Sequence, residues 1–279
     1  MKWIKRKSRP LPEEHICHNC GTQTIGNYCH ECGQSVFAGK EQPILHLFGQ
    51  MLENAFSLDT KAPRTLALIM FRPGFLSAEY RAGKICRYVH PVKLFWMSTL
   101  VMFGLMVYQL SAITKGDRDL NKVNTKEMKI ITPSSPEAKN FPQKVFIDFL
   151  SSYAPYISFI FIPIFALLLA LFFWRKKYYY ISHLIFTVHF HTFLWIYWSV
   201  LMLIHIFTPH WDFPTWLSSL LFITPGVYFA IALHRFYQTK SRWGAVWRAI
   251  LIPILYFILI GIVVVFLVGL MEKANLFPD

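Results

Sequence analysis

The chain has little charge for its length. Asp, Glu, Lys and Arg make up 15% of its 279 residues, against about 25% in soluble globular proteins. The shortage is concentrated in the second half, where successive apolar runs of about 20 residues are long enough to cross a bilayer core as helices. This composition excludes an ordinary soluble globular protein and predicts an all-α integral membrane protein.

Acidic residues are the scarcer kind of charge, with 15 Asp and Glu against 28 Lys and Arg, which gives a formal net charge of +13. Nucleic-acid binding is one explanation of such an excess. The other is that membrane proteins keep Lys and Arg on their cytoplasmic segments. The second explanation also accounts for the apolar runs, so we expect no nucleic-acid partner.

The first residues, MKWIKRKSRPLPEEH, have no apolar stretch behind their basic residues. This excludes a secretory signal peptide at this position. We expect residues 1–14 to form a disordered basic tail that stays in the cytoplasm.

Catalytic motifs are missing as well. The sequence has no phosphate-binding Walker loop, no dinucleotide-binding motif and no recognisable nucleophile–base arrangement. We therefore expect that the protein is not an enzyme.

About five transmembrane helices are predicted between residues 94 and 271. Trp and Tyr cluster near their ends, as in the aromatic belts at membrane interfaces. Basic loops alternate with poorly charged ones, which predicts a bacterial inner (cytoplasmic) membrane protein with a cytoplasmic N-terminus and an extracytoplasmic C-terminus. The predicted spans are 94–113, 153–174, 184–207, 214–236 and 248–271, with an extracytoplasmic loop over 114–152.

Cysteine is rare, but four of the five cysteines form two Cys-x-x-Cys pairs, each followed by a glycine. Two such turns can offer four thiolates to one metal ion, the closed set that structural zinc prefers. Iron in the same cage and a redox role are the alternatives. We predict a zinc ribbon over residues 15–36 with one structural Zn²⁺. Its ligands would be Cys17, Cys20, Cys29 and Cys32.

Residues 43–90 predict short amphipathic helices beside the first span. Apolar residues recur at helical spacing over 43–56, a second helix stops at Arg72-Pro73-Gly74, and a third ends at Gly83. We expect these helices to lie on the membrane surface or against the spans. Basic residues here suggest contact with anionic lipid or, alternatively, a dedicated partner site. The candidate contact residues are Asp59, Arg72, Tyr80, Lys84 and Arg87.

The ribbon, the motif Asp-Thr…Thr-Leu…Arg-Pro-Gly…Glu-Tyr-x-x-Gly-Lys…Arg-Tyr-x-x-Pro and the spans behind them resemble a bacterial membrane-protein family catalogued as domain of unknown function 3667. The resemblance covers about residues 15–110, although Ile85 stands where relatives usually have a basic residue. It implies the architecture and no activity. The matching positions are Asp59, Thr60, Thr65, Leu66, Arg72, Pro73, Gly74, Glu79, Tyr80, Gly83, Lys84, Arg87, Tyr88 and Pro91.

Histidines are concentrated in the third predicted span. At about 100° per residue, His189 and His191 point to opposite sides of a helix, whereas His183 and His191 share a face. Ionisable groups at membrane depth are often functional. The alternative is that neutral histidines simply hydrogen-bond between helices. The candidate intramembrane polar site comprises His183, His189, His191 and His234.

Two functions are consistent with these features. The first is a multi-pass binding or scaffold protein whose cytoplasmic zinc ribbon recruits a protein partner or braces the adjacent helices. The second is a small transporter or lipid-handling protein that uses the intramembrane histidines. The lipid bilayer is a partner in either case, and a homodimer is compatible with both.

Overall fold

The computed structural model describes residues 15–35, 60–127, 159, 161–208 and 214–273. The predicted tail (1–14), the predicted helix over 43–56, Asp59 and the loop beyond residue 127 lie outside them. Strands β1 (His15–Ile16) and β2 (Gln23–Thr24) pair antiparallel. The helices are α1 (Ala62–Phe71), α2 (Phe75–Arg81), α3 (Pro91–Glu127), α4 (Phe161–Phe172), α5 (Tyr180–Phe207), α6 (Thr215–Tyr237) and α7 (Arg242–Lys273), with a 3₁₀ turn at Trp174–Lys176.

Four of the described helices, α3, α5, α6 and α7, are long and apolar enough to cross a membrane. Helix α4 is apolar but shorter, and most of the first part of its predicted span (153–174) lies outside the described residues. The predicted fold class, a mainly helical protein with membrane helices and an N-terminal four-cysteine cluster, is confirmed.

Helix α3 extends past the predicted end of the first span. Its apolar part covers Pro91–Gln109, but the helix continues to Glu127, inside the segment predicted as the loop 114–152. No proline occurs between Pro91 and Pro133, so nothing forces the helical hydrogen bonding to stop where the apolar stretch ends.

The core of the helical bundle is largely aromatic. The rings of Phe173 and Tyr237 stack with centroids 3.7 Å apart, and those of Phe193 and Tyr228 with centroids 3.5 Å apart. These contacts join the end of α4 and the middle of α5 to α6. Large apolar side chains such as Phe222 are instead exposed on the outer faces of the helices, as expected for surfaces that face lipid.

The short helices α1 and α2 pack against this bundle. Ile69 and Leu76 are buried, and the Tyr228 hydroxyl donates a hydrogen bond of 2.5 Å to the Ile69 carbonyl. Between the two helices, Gly74 adopts φ +71°, which allows the chain to turn tightly against Ala232 of α6. The sequence predicts that these helices lie either on the membrane surface or against the spans. In the structure they lie against the spans.

Candidate metal centre and the segment that carries it

The four predicted cysteine ligands lie together. All four sulfurs are within 4.8 Å of one another, with Cys17 Sγ 3.6 Å from Cys32 Sγ and Cys20 Sγ 3.5 Å from Cys29 Sγ. A tetrahedral site with Zn–S bonds of about 2.3 Å has sulfurs about 3.8 Å apart. The four thiols therefore fit one metal ion.

The two Cys-x-x-Cys-Gly turns have the same backbone pattern. Gly21 N donates to Cys17 O at 2.9 Å, and Gly33 N donates to Cys29 O at 2.8 Å. Both glycines have positive φ, +82° and +69°, a conformation that glycine adopts without the steric cost of a Cβ atom. The repeated sequence motif thus builds two matching halves of one site.

The thiols do not share one electrostatic environment. Hydrogen bonds to Thr22 lower the pKa of Cys20 to about 6, and the bond to the Thr22 side chain has a larger effect than the bond to its backbone. Burial raises the pKa of Cys17 to about 11. Because metal ligation requires thiolates, binding of a metal is expected to release protons, including the proton of the Cys17 thiol.

The cysteine module is joined to the turn after α2 by one buried side chain. Gln34 Nε2 donates to Gly83 O at 2.6 Å, and Gln34 Oε1 accepts from the backbone amides of Ile85 and Cys86 at 3.1 and 3.2 Å. Gly83 also lies against the module, because a Cβ atom there would be 3.2 Å from His18 Cβ. We call the three hydrogen bonds of Gln34 the glutamine clamp.

The turn that the glutamine clamp holds is braced from its other side. Glu79 forms an ion pair with Lys84 at 2.9 Å and accepts a hydrogen bond from the Tyr88 hydroxyl at 3.3 Å. Lys61 Nζ donates to Cys86 O at 2.7 Å, and Thr65 Oγ1 accepts from Val89 N at 3.2 Å. Charged and polar residues here stabilise a defined backbone path.

The residues predicted to contact lipid or a partner differ in exposure and in their contacts. Arg72 and Arg87 are exposed, whereas Lys84 is paired within the segment. Tyr80 packs edge-on against the ring of His90. Burial raises the pKa of Tyr80 to about 12 and lowers that of His90 to about 4. Asp59 lies outside the described residues.

Among the described residues, the histidines of the candidate intramembrane site do not form a metal-binding group. Each has its own hydrogen-bond partner. The pairs are His183 with the Tyr237 hydroxyl (2.7 Å), His189 with Ser77 (3.0 Å), His191 with Thr187 O (2.9 Å) and His234 with Thr239 (2.7 Å). Within the described parts of the chain, the four cysteines form the only close group of three or more possible metal ligands.

The comparisons with known proteins concern the segment that the glutamine clamp contacts. Residues 59–103 match the family model described as "Protein of unknown function (DUF3667)". We call residues 59–103 the DUF3667 segment. The resemblance expected from the sequence is confirmed over these residues, and the match does not reach the cysteine module. No curated protein and no solved structure matches the chain.

The DUF3667 segment therefore contains α1, α2, the clamped turn and the start of α3. Two of its contacts were not predicted from the sequence. Gln34 reaches the segment from outside it, and Ser77 binds His189 of α5 across 112 positions of sequence. The sequence identifies Gly83 as a glycine that ends a helix. It does not indicate which residues pack against Gly83.

Proposed function

We propose that the chain is a membrane-embedded binding or scaffold protein. Its zinc-loaded ribbon is fixed to the DUF3667 segment at the cytoplasmic face of a bacterial inner membrane and offers its outer face to a protein partner. The glutamine clamp is the observation that carries this proposal. A buried side chain with three hydrogen bonds fixes the position of the ribbon, as a platform for a partner requires.

The chemistry of the donor set supports zinc and a structural role. Four thiolates complete a tetrahedral shell, so no coordination position is left for water or substrate. Iron would accept the same ligands. A module of this size has little core of its own, and its folding is expected to depend on the metal. A closed site of this kind would have a structural role and not a catalytic one.

The outer face of the ribbon has the composition of a contact surface. Ile16, Ile25 and Tyr28 are 69%, 78% and 66% exposed while the ribbon is docked on the DUF3667 segment. Large apolar side chains left exposed on so small a module favour a protein contact.

The alternative function, a transporter or lipid-handling protein, gains no support from the contacts of the histidines. A path for protons or ions needs polar groups that form a continuous series. The four histidines instead bind four separate partners.

Site-specific photo-crosslinking in the native host tests the proposal. A photoreactive residue at Ile25 or Tyr28 should give a discrete protein adduct, and the adduct should disappear when Cys29→Ser is added. The same residue at Phe222, which is exposed on α6, is the control for lipid-facing surface. The absence of a discrete adduct at both ribbon positions would overturn the docking proposal.

A further inference from the structure

Three connecting segments meet at one end of the helical bundle. The turn between α1 and α2 contacts the end of α6, where Arg235 Nη1 donates to Pro73 O at 3.0 Å. The 3₁₀ turn after α4 contacts the link between α6 and α7, where Lys176 Nζ donates to Gln238 O at 3.1 Å. Arg81 of α2 donates to Phe236 O at 2.8 Å and lies over the ring of Tyr178. These contacts place the three segments side by side.

Exposed cations are concentrated on these segments, and carboxylates are missing from them. No Asp or Glu occurs in residues 161–208 or 214–271, and Glu79 of α2 is already paired with Lys84. We call the group of exposed cations the basic corner. It consists of Arg72, Arg175, Lys177, Arg235, Lys240 and Arg242.

Helix capping explains only part of the basic corner. Arg235 lies in the last turn of α6 and Arg175 in the last turn of the 3₁₀ helix, where a cation is favourable. Lys240 and Arg242 instead lie just before and at the start of α7, the end of a helix dipole that disfavours cations. Neither forms an ion pair in the described part of the chain. Their placement therefore favours an external anion.

The backbone of the basic corner is also unusual. Lys177 and Gln238 have φ of +52° and +47°, and among the described residues other than glycine only these two have positive φ. Side chains are rarely kept in this conformation, since glycine adopts it at lower cost. Lys176, the residue before Lys177, donates a hydrogen bond to the carbonyl of Gln238.

Exposed aromatic rings place the corner at a membrane interface. Trp174, Tyr179 and Trp243 are 71%, 73% and 81% exposed, on the same segments as the cations. Trp and Tyr concentrate at the level of lipid headgroups. Cations at that level face phosphate groups, because an anionic leaflet attracts basic segments near its surface.

We propose that the basic corner is a binding site for the phosphate headgroup of an anionic phospholipid of the surrounding bilayer. Lys240 and Arg242 would contact the phosphate, while Trp174 and Trp243 pack beside the glycerol and upper acyl region. This site is separate from the ribbon and does not depend on the proposed partner contact.

Native mass spectrometry of the full chain tests this assignment, with phosphatidylglycerol or phosphatidylcholine titrated into detergent-purified protein. The double variant Lys240→Gln/Arg242→Gln should bind phosphatidylglycerol about 30-fold more weakly, from the usual contribution of each cation near a headgroup. Its binding of phosphatidylcholine should not change. The matched control compares Arg64→Gln with Arg242→Gln alone, because each removes one positive charge from an exposed residue and Arg64 lies outside the corner.

The control variant should retain most of the affinity for phosphatidylglycerol. Equal losses in Arg64→Gln and Arg242→Gln would overturn the proposal, because bulk charge alone would then explain binding. Equal affinity of the native chain for both lipids would overturn it too. Displacement of the lipid by inorganic phosphate, or nucleic acid bound in its place, would assign the corner to another ligand. Because Arg64, Lys240 and Arg242 are all exposed, thermal unfolding should verify that every variant remains folded.

Discussion

Gly74 is the position where a single methyl group should damage the protein most specifically. It has φ +71°, and a Cβ atom there would lie 2.7 Å from the carbonyl oxygen and 3.0 Å from the Cα atom of Ala232. Ala232 is 2% exposed within α6, so its backbone cannot move without shifting the helix. Gly74→Ala should therefore separate the α1–α2 pair from the spans.

The expected loss has two parts. An L-residue in the left-handed region costs about 1–2 kcal/mol, and overpacking against a buried backbone costs about 1–3 kcal/mol more. Gly74→Ala should thus lower the free energy of unfolding by about 2–5 kcal/mol. Gly74→Asn separates the two parts. Asn tolerates the left-handed region, but its Cβ atom would meet Ala232 equally closely, so most of the overpacking loss should remain.

The assay is thermal unfolding in detergent, followed by tryptophan fluorescence, together with hydrogen exchange of peptides from α1 and α2. Gly104→Ala is the control, because Gly104 lies in the interior of α3 with nothing within 4 Å of an added Cβ atom. That variant should be neutral or slightly stabilised. The close-contact argument would be refuted if the free energy of unfolding of Gly74→Ala lay within about 1 kcal/mol of that of the native protein. Recovery of full native stability in Gly74→Asn would refute it as well.

Three further predictions concern the metal centre and the clamped turn. Gln34→Glu would place a carboxylate oxygen against the carbonyl that the amide now binds, at a loss of about 2 kcal/mol. Gln34→Glu should increase hydrogen exchange over residues 83–90. The control Asn27→Asp, at an exposed residue of the ribbon, should not. Metal analysis of the purified chain should find one zinc, lost in Cys17→Ser and retained in His191→Ala; a second metal that disappears with His191 would favour the transport alternative. Burial lowers the pKa of His90 from 6.5 to about 4, so the folded state keeps this group neutral while the unfolded state takes up a proton. Stability from this group is present above about pH 6.5 and is lost as pH falls towards 4, by at most about 3 kcal/mol. His90→Phe should flatten the decrease of the melting temperature between these pH values, and an unchanged slope would contradict this account.

The cysteine cluster was predictable from the sequence because all of its determinants are local. Cys17 and Cys29 each begin a four-residue turn that ends just before a glycine, and the chain between the turns is short. The end of α1 is equally local, since Arg72-Pro73-Gly74 combines a residue that stops a helix with one that turns the chain. Such signals need no knowledge of the rest of the fold.

The glutamine clamp could not be predicted in this way. Gln34 has no distinctive neighbours, and its partners lie 49 to 52 positions further along the chain. The histidines show the same limit. Helical periodicity indicates which side of α5 each histidine occupies, but it does not indicate that Ser77 will be opposite His189. Which groups meet between elements depends on how the helices pack.

The glutamine clamp also links two equilibria. Gln34 follows directly after the second cysteine turn, so it is held in position only while the ribbon is folded. A metal that binds only the folded ribbon then also stabilises the turn at Gly83–Cys86, by an amount that increases with the logarithm of free metal concentration. The linkage is reciprocal: whatever loosens this turn at the membrane must weaken the affinity of the ribbon for its metal by the same factor.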